Sequence, residues 1–402
     1  MIQGKKILII GGGPAGLMAA ACLSAEYEVH LYEKEKTIGR KFLVAGKGGF
    51  NLTNEKSDEA LAAAYSPLGF LQTCLLDFDS LALRKWLADL GIATFVGTSG
   101  RVFPIKGIKP IKVLQKIKQR IIDKGVQIHL NHEFKGFESV NEIIIENRKT
   151  SRIIQGDAIL FALGGASWPK TGSTGNWLTH FQFLGVQTKP FQSSNCGINI
   201  NWPENIRLTH AGKPLKNIQL TVNNKTKVGE ALVTDYGLEG NAIYPLIPMF
   251  RNGMERGEEV LVHIDFKPRN TIDQLLQKLK KEPINTKNYA KNFNLNKTQL
   301  AILKAYTDKE SFLSPDIFVS RIKKLDIPVQ SLRPLDEAIS SVGGIDLTEV
   351  NTNFSLKKNP SIFVLGEMLD WDAPTGGFLL QACFSMGRSV ANYLNQKFTS
   401  IN

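Results

Sequence analysis

Short runs of apolar residues, each about as long as one strand, recur along the chain and indicate its core. The clearest runs are residues 5–10, 29–32, 157–163 and 361–365. Continuous apolar runs of this length are typical of strands that are buried on both faces of a parallel sheet. The pattern therefore predicts an α/β domain whose core is interrupted and resumed near the end of the chain.

Helical spacing of apolar residues predicts amphipathic helices at residues 80–90 and 110–124. A short helix is expected to end near Gly185, and a last helix to run from about Gly377 to Asn395. Residues 37–54 are glycine-rich with little periodicity, which predicts a loop, and residues 164–175 form a second turn-rich segment.

The middle of the chain has a different pattern. Short alternating stretches at residues 218–222, 231–234 and 260–264 predict strands of a β-rich region. Residues 271–325 are helical in pattern, with lysine-rich faces and few β-branched residues. We therefore expect three parts: a discontinuous first domain (1–189 and 335–402), a β-rich domain (190–269 and 326–334) and a helical insertion (270–325).

A glycine fingerprint follows the first predicted strand. It consists of Gly11, Gly12, Gly13, Pro14, Ala15 and Gly16, and it leads into a run of small residues and a second strand that ends at Glu33. In a βαβ unit, such glycines allow a tight turn, a close approach to a pyrophosphate and close helix packing, while the acid binds a ribose diol. The start of the helix also offers unpaired N–H groups to the phosphates. The fingerprint predicts a dinucleotide, without separating FAD from NAD.

The last 40 residues favour FAD. A strand ends at Gly366 and Glu367, which suit contacts to a ribityl chain. Gly376 and Gly377 then begin a helix, whose N–H groups suit the pyrimidine edge of an isoalloxazine ring. The fingerprint lies some 350 residues earlier. Because both segments have features that suit one dinucleotide, we expect the two chain ends to complete one FAD site.

Four blocks resemble the YhiN/BaiN-like flavoproteins, which are NAD(P)/FAD-dependent or aminoacetone-oxidase-like enzymes. These blocks are residues 11–16 with Glu33, residues 39–43 through 51–54, residues 163–175, and residues 343–345 through 366–378. The resemblance implies a Rossmann-like FAD-binding domain of the two-dinucleotide-binding-domain type, with an inserted β-barrel-like domain and a small helical domain.

The resemblance also implies contacts to FAD, and each has a simpler alternative, such as surface charge for Arg40 and Lys41 or a loop hydrogen bond for Asn51. The implied contacts are Gly11, Gly13, Pro14, Ala15 and Gly16 at the pyrophosphate; Glu33 and Lys34 at the ribose; Arg40 and Lys41 at the phosphates or flavin; Asn51 and Thr53 at the ring or ribityl chain; Phe134 at adenine; Gly164 and Gly165 on a strand-end loop; Gly366, Glu367 and Asp370 at the ribityl chain; and Gly376, Gly377 and Phe378 at the ring.

The chain departs from the family pattern at residues 46–51, where an Arg-Cys pair is replaced, and at residues 234–241. It therefore resembles an uncharacterised subgroup, and no substrate carries over. Candidate catalytic residues are Tyr236, Asp372 and Lys47, because each can donate or accept a proton. The dispersed histidines, including His180, are expected to be structural or surface residues.

Composition narrows the alternatives. The chain has 402 residues and a net charge of +12, and its lysine-rich stretches lie at 106–124, 278–297 and 322–324. Solvated helix faces explain this charge better than nucleic-acid binding, which stays open. No apolar run approaches the ~20 residues of a membrane span. With no signal-peptide pattern and no metal-like cysteine spacing, we expect a cytoplasmic protein without a bound metal.

These observations predict an FAD-dependent oxidoreductase that acts on an unidentified small substrate through non-covalently bound FAD. It is either a reductase with NAD(P)H as transient donor or an amine-type oxidase. A second G-x-G-x-x-G is absent, which argues against a separate NAD(P)H domain. The alternatives are an RNA-modifying or RNA-binding flavoprotein and a flavin-binding scaffold without turnover. The oligomeric state is left open.

Overall fold

Strands and helices alternate along the chain in the computed structural model, which describes residues 4–44, 50–56, 58–97, 99–279 and 288–399. The strands are β1 (Lys6–Ile10), β2 (Glu28–Glu33), β3 (Thr53–Asn54), β4 (Thr94–Val96), β5 (Arg101–Pro104), β6 (Gln127–Leu130), β7 (Glu133–Ser139), β8 (Glu142–Glu146), β9 (Ser151–Gln155), β10 (Ala158–Phe161), β11 (Thr188–Ser194), β12 (Ile198–Asn199), β13 (Pro214–Val222), β14 (Lys225–Val233), β15 (Gly237–Glu239), β16 (Leu261–Asp265), β17 (Leu325–Pro328), β18 (Ser331–Leu332), β19 (Ser340–Ile345) and β20 (Ile362–Val364). The helices are α1 (Pro14–Cys22), α2 (Arg40–Val44), α3 (Asp58–Ala62), α4 (Gln72–Asp77), α5 (Ser80–Asp89), α6 (Pro110–Asp123), α7 (Leu178–Phe183), α8 (Glu204–His210), α9 (Ile247–Glu255), α10 (Ile272–Leu279), α11 (Tyr289–Asn292), α12 (Lys297–Ala305), α13 (Lys309–Leu313), α14 (Pro315–Lys323) and α15 (Phe378–Thr399).

The chain divides into two units. Unit 1 comprises Met1–Gln192 and Ser340–Asn402, and unit 2 comprises Ser193–Ile339. Each unit has its own cluster of buried apolar side chains. Among the described residues, we find no helix that is both long enough and apolar enough to cross a membrane.

A five-stranded parallel sheet forms the centre of unit 1, in the order β20-β10-β1-β2-β6. In this sheet, Ile10 pairs with both Tyr32 and Phe161, so the carboxyl ends of three strands meet at one edge. The parallel α/β architecture predicted from the apolar runs is confirmed. Parallel sheets of this kind bind ligands in the crevice outside the carboxyl ends of their strands.

Helices α1 and α15 join the two ends of the chain within unit 1. Helix α1 begins with Pro14 at its first turn, where the missing N–H costs nothing, and it buries Ala15 to Ala21. Helix α15 passes so close that a Cβ on Gly387 would lie 2.3 Å from the Ala15 carbonyl oxygen. Small residues at this crossing therefore allow the last helix to pack on the helix that follows the fingerprint.

Helix α6 shows why the amphipathic pattern predicted a helix. Val113, Leu114, Ile117 and Ile121 are buried along one face, as a period of 3.6 residues requires. The opposite surface is rich in lysine and lies exposed. The helix is therefore held by its apolar face rather than by its charges.

Two predictions for unit 1 need correction. Residues 37–54, predicted to be a loop, contain the short helix α2 and the strand β3. Helix α2 forms because Phe42 is buried against Phe50, with ring centroids 4.8 Å apart, which local periodicity does not reveal. Strands β7 and β9 were not predicted, and they flank β8 in an antiparallel sheet. Strand β9 is mostly exposed, so it lacks the alternation that marks a half-buried strand.

Unit 2 is built on a seven-stranded sheet in the order β17-β16-β13-β14-β15-β12-β18, with antiparallel pairing. Buried side chains of its helices, such as Leu275 and Phe318, belong to the same apolar cluster as Ile218 and Ile264 of the sheet. The division of this part of the chain into a β-rich domain and a separate helical domain stays a prediction.

Candidate FAD site

A cleft of about 290 Å³ opens in unit 1 where β1, β2, β10 and β20 end. The sequence predictions that lie on its wall are Gly11, Gly13, Pro14, Ala15, Glu33, Lys34, Arg40, Lys41, Phe134, Gly164, Gly366 and Glu367. The other predicted contacts, which are described below, do not line it. The first and last elements of the chain thus form one concavity.

The glycine turn lies between β1 and α1. Gly11 has a φ of +111°, and a Cβ there would lie 2.3 Å from the Ala162 carbonyl oxygen, so only glycine fits. A Cβ on Gly13 would meet Ala162 O at 3.9 Å and no other described atom within 4 Å. Gly16 packs on β1, since a Cβ there would lie 3.2 Å from Ile9 Cγ2. These positions match the three mechanical roles of the fingerprint, and Gly13 leaves the surface open for a phosphate.

Glu33 is the last residue of β2 and lies beside this glycine turn. Its Oε2 accepts a hydrogen bond from Gly12 N at 2.8 Å, and its Oε1 accepts one from Glu35 N at 2.9 Å. Burial raises the pKa of this carboxyl, while both backbone N–H groups favour the charged form. Each oxygen keeps a further lone pair, so the carboxylate can accept hydrogen bonds from a ribose diol.

Arg40 and Lys41 are neighbours on α2 but contact different groups. Arg40 forms an ion pair with Glu35 and donates to the Lys170 carbonyl oxygen at 3.1 Å. Lys41 Nζ donates to Ser167 Oγ at 2.9 Å and to Glu367 Oε2 at 2.8 Å. The sequence interpretation placed both residues near phosphates or flavin; both line the cleft, and their ion pairs are with different carboxylates, Glu35 for Arg40 and Glu367 for Lys41.

Gly366 and Glu367 form a short 3-10 turn directly after β20. The Gly366 carbonyl oxygen accepts a hydrogen bond from Trp371 Nε1 at 2.8 Å, which holds the turn from behind. Gly164 also lines the cleft, after the neighbouring strand β10, and its carbonyl oxygen accepts a hydrogen bond from Trp177 Nε1 at 2.9 Å. Two buried tryptophans therefore hold the backbone after both strands.

Two predicted contacts in this region have structural surroundings instead. A Cβ on Gly165 would lie 2.2 Å from Ser341 Oγ, so this glycine allows a close approach of β19. Asp370 accepts hydrogen bonds from Lys189 Nζ at 2.7 Å and Gly343 N at 3.0 Å. The contact of Gly165 with FAD and that of Asp370 with a ribityl chain stay predictions.

The start of α15 packs against β3. A Cβ on Gly377 would lie 2.5 Å from the Thr53 carbonyl carbon, and Thr53 Oγ1 donates to Gln381 Oε1 at 2.5 Å. Gly376 adopts a φ of +117°, and its carbonyl oxygen accepts a hydrogen bond from Asn54 Nδ2 at 3.3 Å. This tight contact fixes the helix start, at which Phe378 is buried.

Asn51, a predicted contact of the ring or ribityl chain, has an unsatisfied acceptor. Its Oδ1 is buried, and it accepts no hydrogen bond from any residue that the structure describes. A buried acceptor without a partner costs free energy, and such groups in native proteins usually have a ligand or water partner. Asn51 does not line the cleft, and its contact to FAD stays a prediction; the open surface at Gly13, together with Glu33, is what fits a dinucleotide such as FAD.

The structure describes two of the three catalytic candidates. Asp372 is buried, its Oδ1 accepts a hydrogen bond from Ala373 N at 2.9 Å, and its backbone pairs with Ser66. Tyr236 lies in unit 2 and donates a hydrogen bond to Glu239 Oε2. Lys47 lies outside the described residues.

Several cleft residues were missed by the sequence interpretation. They come from the start of β7, the loop before α7 and α7 itself: His132, Lys135, Ser173, Trp177 and His180. Of these five residues, Ser173 lies in the turn-rich segment 164–175, which belongs to one of the family blocks and could have marked it. Among the described residues, no group of three or more histidine, cysteine or acidic side chains is arranged to hold a metal.

Comparisons with known proteins agree with this geometry. The family described as HI0933-like protein Rossmann domain matches residues 5–393. The 3-dehydro-bile acid delta(4,6)-reductase of Clostridium scindens is 22% identical over 405 residues, which cover 95% of this chain and 97% of the reductase. The ribosomal RNA dihydrouridine synthase of Haemophilus influenzae is 22% identical over 411 residues, which cover 97% of this chain and 98% of the synthase.

Solved structures show the same fold. The 3-ketosteroid delta1-dehydrogenase of Sterolibacterium denitrificans, solved with 1,4-androstadiene-3,17-dione, aligns with a TM-score of 0.53 at 12% identity. The alignment covers 98% of this chain and 100% of the dehydrogenase. At this identity, the likeness concerns the fold alone.

Proposed function

Because the chain belongs to the HI0933-like Rossmann-domain family of FAD-dependent oxidoreductases, we propose that it reduces a ring carbon–carbon double bond in a small substrate. One observation supports this most directly: a single cleft collects the glycine turn, Glu33 and the Lys41–Glu367 pair. This is the set of groups that an elongated dinucleotide needs along its length. The resemblance to YhiN/BaiN-like flavoproteins is confirmed by the family match.

The chain's own residues would hold FAD without a covalent bond. The turn at Gly13 and the start of α1 would bind the pyrophosphate, and Glu33 the adenosine ribose. Lys41 and Glu367 would contact the ribityl side, and Asn51 Oδ1 would accept a hydrogen bond from a polar group of the flavin or ribityl chain. Bound FAD supplies hydride transfer, while the protein supplies position and charge.

The names of two relatives suggest the substrate class. One is called a bile-acid delta(4,6)-reductase and the other a dihydrouridine synthase, and both names denote saturation of a ring double bond. We therefore favour a reductase over an amine-type oxidase. Reduction adds a hydride from a reduced nicotinamide dinucleotide and a proton from an acid across the double bond.

Anaerobic reduction of the FAD-loaded protein by NADH, NADPH and a panel of amines tests this proposal. We expect a reduced nicotinamide dinucleotide to bleach the visible flavin absorption, and cyclic enones to restore it. Bleaching by amines alone would establish an oxidase instead. If every donor fails, the protein is a flavin-binding scaffold, and the proposal is wrong.

Tyr236 is our candidate for the proton donor, because its phenol carries a proton at neutral pH. Burial first, and then the hydrogen bond to Glu239, raise its pKa, so the phenol stays protonated at neutral pH. The Arg333 guanidinium lies 4.1 Å from the ring centroid and fixes the ring. A protonated phenol beside a carboxylate can deliver a proton and be recharged.

We expect Tyr236→Phe to slow substrate reduction about 100-fold, which is the lower range for loss of a general acid. Reduction of the flavin by nicotinamide should keep its rate, because that step needs no proton from the phenol. Stopped-flow measurement of the two half-reactions separates them. The matched control is Tyr306→Phe, because among the described residues the Tyr306 hydroxyl in the same unit donates to the Asn201 carbonyl oxygen alone. Equal rates for Tyr236→Phe and wild type in both half-reactions would remove Tyr236 from the mechanism.

RNA is the second candidate substrate, because a specific surface favours it. Lys109, Lys112, Lys116 and Arg120 form an exposed basic stripe along α6, with spacings of three and four residues. Like charges at this spacing destabilise a helix by about 0.2–0.5 kcal/mol per pair. Such a stripe suits a phosphate backbone, and one relative carries a ribosomal RNA activity in its name.

If RNA binds this stripe, replacing its four basic residues with glutamine should weaken binding and flatten the salt dependence. We expect the slope of log K against log salt to fall by about one unit per lost phosphate contact. Filter binding of an RNA fragment at several salt concentrations measures it. A matched variant with the four exposed residues Lys213, Lys216, Lys225 and Lys227 replaced by glutamine controls for net charge. A slope near zero for the wild type would remove the RNA alternative.

A further inference from the structure

Two histidines line the same end of the FAD cleft, and they differ in their hydrogen bonds. His132 donates from Nδ1 to the Leu130 carbonyl oxygen at 2.8 Å, and its Nε2 accepts from Asn147 Nδ2 at 3.2 Å. The ring of His180 has no hydrogen-bond partner among the described residues, although it borders the cleft. Both ring nitrogens of His132 therefore form hydrogen bonds within the protein, next to the turn between β6 and β7, whereas the ring nitrogens of His180 can bond to a ligand.

The His180 ring is held in place by its packing. It lies edge-on to Phe134, with centroids 5.2 Å apart and planes at 78°, and Phe134 packs in turn on Phe161. The backbone of β7 makes room for it at Gly136, where an added Cβ would lie 3.3 Å from His180 Nδ1. A ring fixed in this way loses little conformational entropy when it binds a ligand.

The charge state of this ring suits an uncharged heterocycle. Burial, and then the nearby Lys135, lower the pKa of His180, while Glu133 opposes them. At neutral pH the imidazole is therefore neutral and carries one N–H donor and one acceptor nitrogen. Adenine offers both an exocyclic amino donor and ring-nitrogen acceptors along its edge.

We propose that His180 recognises the adenine of FAD and so selects FAD over shorter flavins, an inference that rests on the proposed function. With the pyrophosphate at the Gly11–Gly13 turn and the ribose at Glu33, the adenine extends toward the wall formed by β7 and α7. Phe134 packs behind the imidazole and supports it. His180 supplies a directional hydrogen bond that an apolar wall lacks.

The test measures dissociation constants of FAD and FMN for the full-length apo-protein by quenching of flavin fluorescence. We expect His180→Phe to weaken FAD about tenfold, as loss of one hydrogen bond in a buried site does, and to leave FMN unchanged. His180→Asn, which keeps a donor and an acceptor, should retain most of the FAD affinity. The ratio of the two constants is measured on one protein sample, so partial unfolding of a variant cancels.

The cleft itself offers a comparator in His132. His132→Asn is expected to lower the melting temperature without changing the FMN-to-FAD ratio, because both ring nitrogens of His132 act within the protein. An unchanged ratio in His180→Phe would overturn the assignment of His180 while leaving FAD binding intact. A wild-type protein that binds neither flavin would overturn the proposed function, and this inference with it.

Discussion

The substitution Gly13→Ala is expected to weaken FAD binding about 100-fold, or about 2.7 kcal/mol, while leaving the apo-protein folded. The added methyl group would meet Ala162 O only at 3.9 Å, so the empty turn accommodates it. It would occupy the surface that the pyrophosphate must approach closely. Titration of apo-protein with FAD, together with thermal unfolding of the apo-protein, measures both parts of this prediction.

Gly11→Ala is the matched comparison, because the same methyl group would have a different consequence two residues earlier. There it would lie 2.3 Å from the Ala162 carbonyl oxygen on a backbone with φ of +111°. Strain of this kind costs about 1–3 kcal/mol before the clash is counted. We therefore expect Gly11→Ala to lower both stability and FAD affinity. If Gly13→Ala binds FAD as tightly as wild type, the turn is not the pyrophosphate site.

Lys41→Met is expected to destabilise the protein by about 2 kcal/mol and to weaken FAD binding about tenfold. The Glu367 side chain is only 12% exposed, and Lys41 Nζ lies 2.8 Å from its Oε2. The substitution would leave this carboxylate without its cationic partner. An unpaired buried charge costs more than the pair itself contributes. Chemical denaturation of the apo-protein and FAD titration measure the two effects.

The double variant Lys41→Met with Glu367→Met separates the ion pair from cofactor binding. Removing both charges should restore part of the stability, because no unpaired carboxylate remains, but FAD affinity should stay low. The control is Lys5→Met, because the Lys5–Asp157 pair is exposed at 43% and 39% and should contribute about 0.2–1 kcal/mol. A Lys41→Met protein as stable as the Lys5→Met protein would contradict the structural role of the partly buried Lys41–Glu367 pair.

The parallel core could be predicted from the sequence because its signals are local. The apolar run before Gly11 and the acid at Glu33 belong to one continuous βαβ unit, and their spacing determines which groups reach the strand ends. Segment 37–54 could not be predicted in this way. Helix α2 there depends on burial of Phe42 by Phe50, and no periodic pattern shows that contact.

The neighbours Arg40 and Lys41 have different partners, which the sequence did not predict. Arg40 and Lys41 form one basic pair in sequence, yet consecutive helical side chains point about 100° apart. Arg40 therefore contacts Glu35, whereas Lys41 contacts Glu367. His180 is a similar case, since only the packing of α7 on β7 brings it to the cleft and distinguishes it from His132.

By itself, the sequence determined that the chain carries a dinucleotide fingerprint, a parallel α/β core and a second flavin-type segment near its end. Spacing along a continuous segment is enough for these features, because backbone geometry converts it directly into position. Only the tertiary structure decided which side chains share the cleft: Lys41 with Glu367, and His180 with Phe134. Lys41 and Glu367 are 326 positions apart, and their meeting depends on packing between distant elements, which no local pattern encodes.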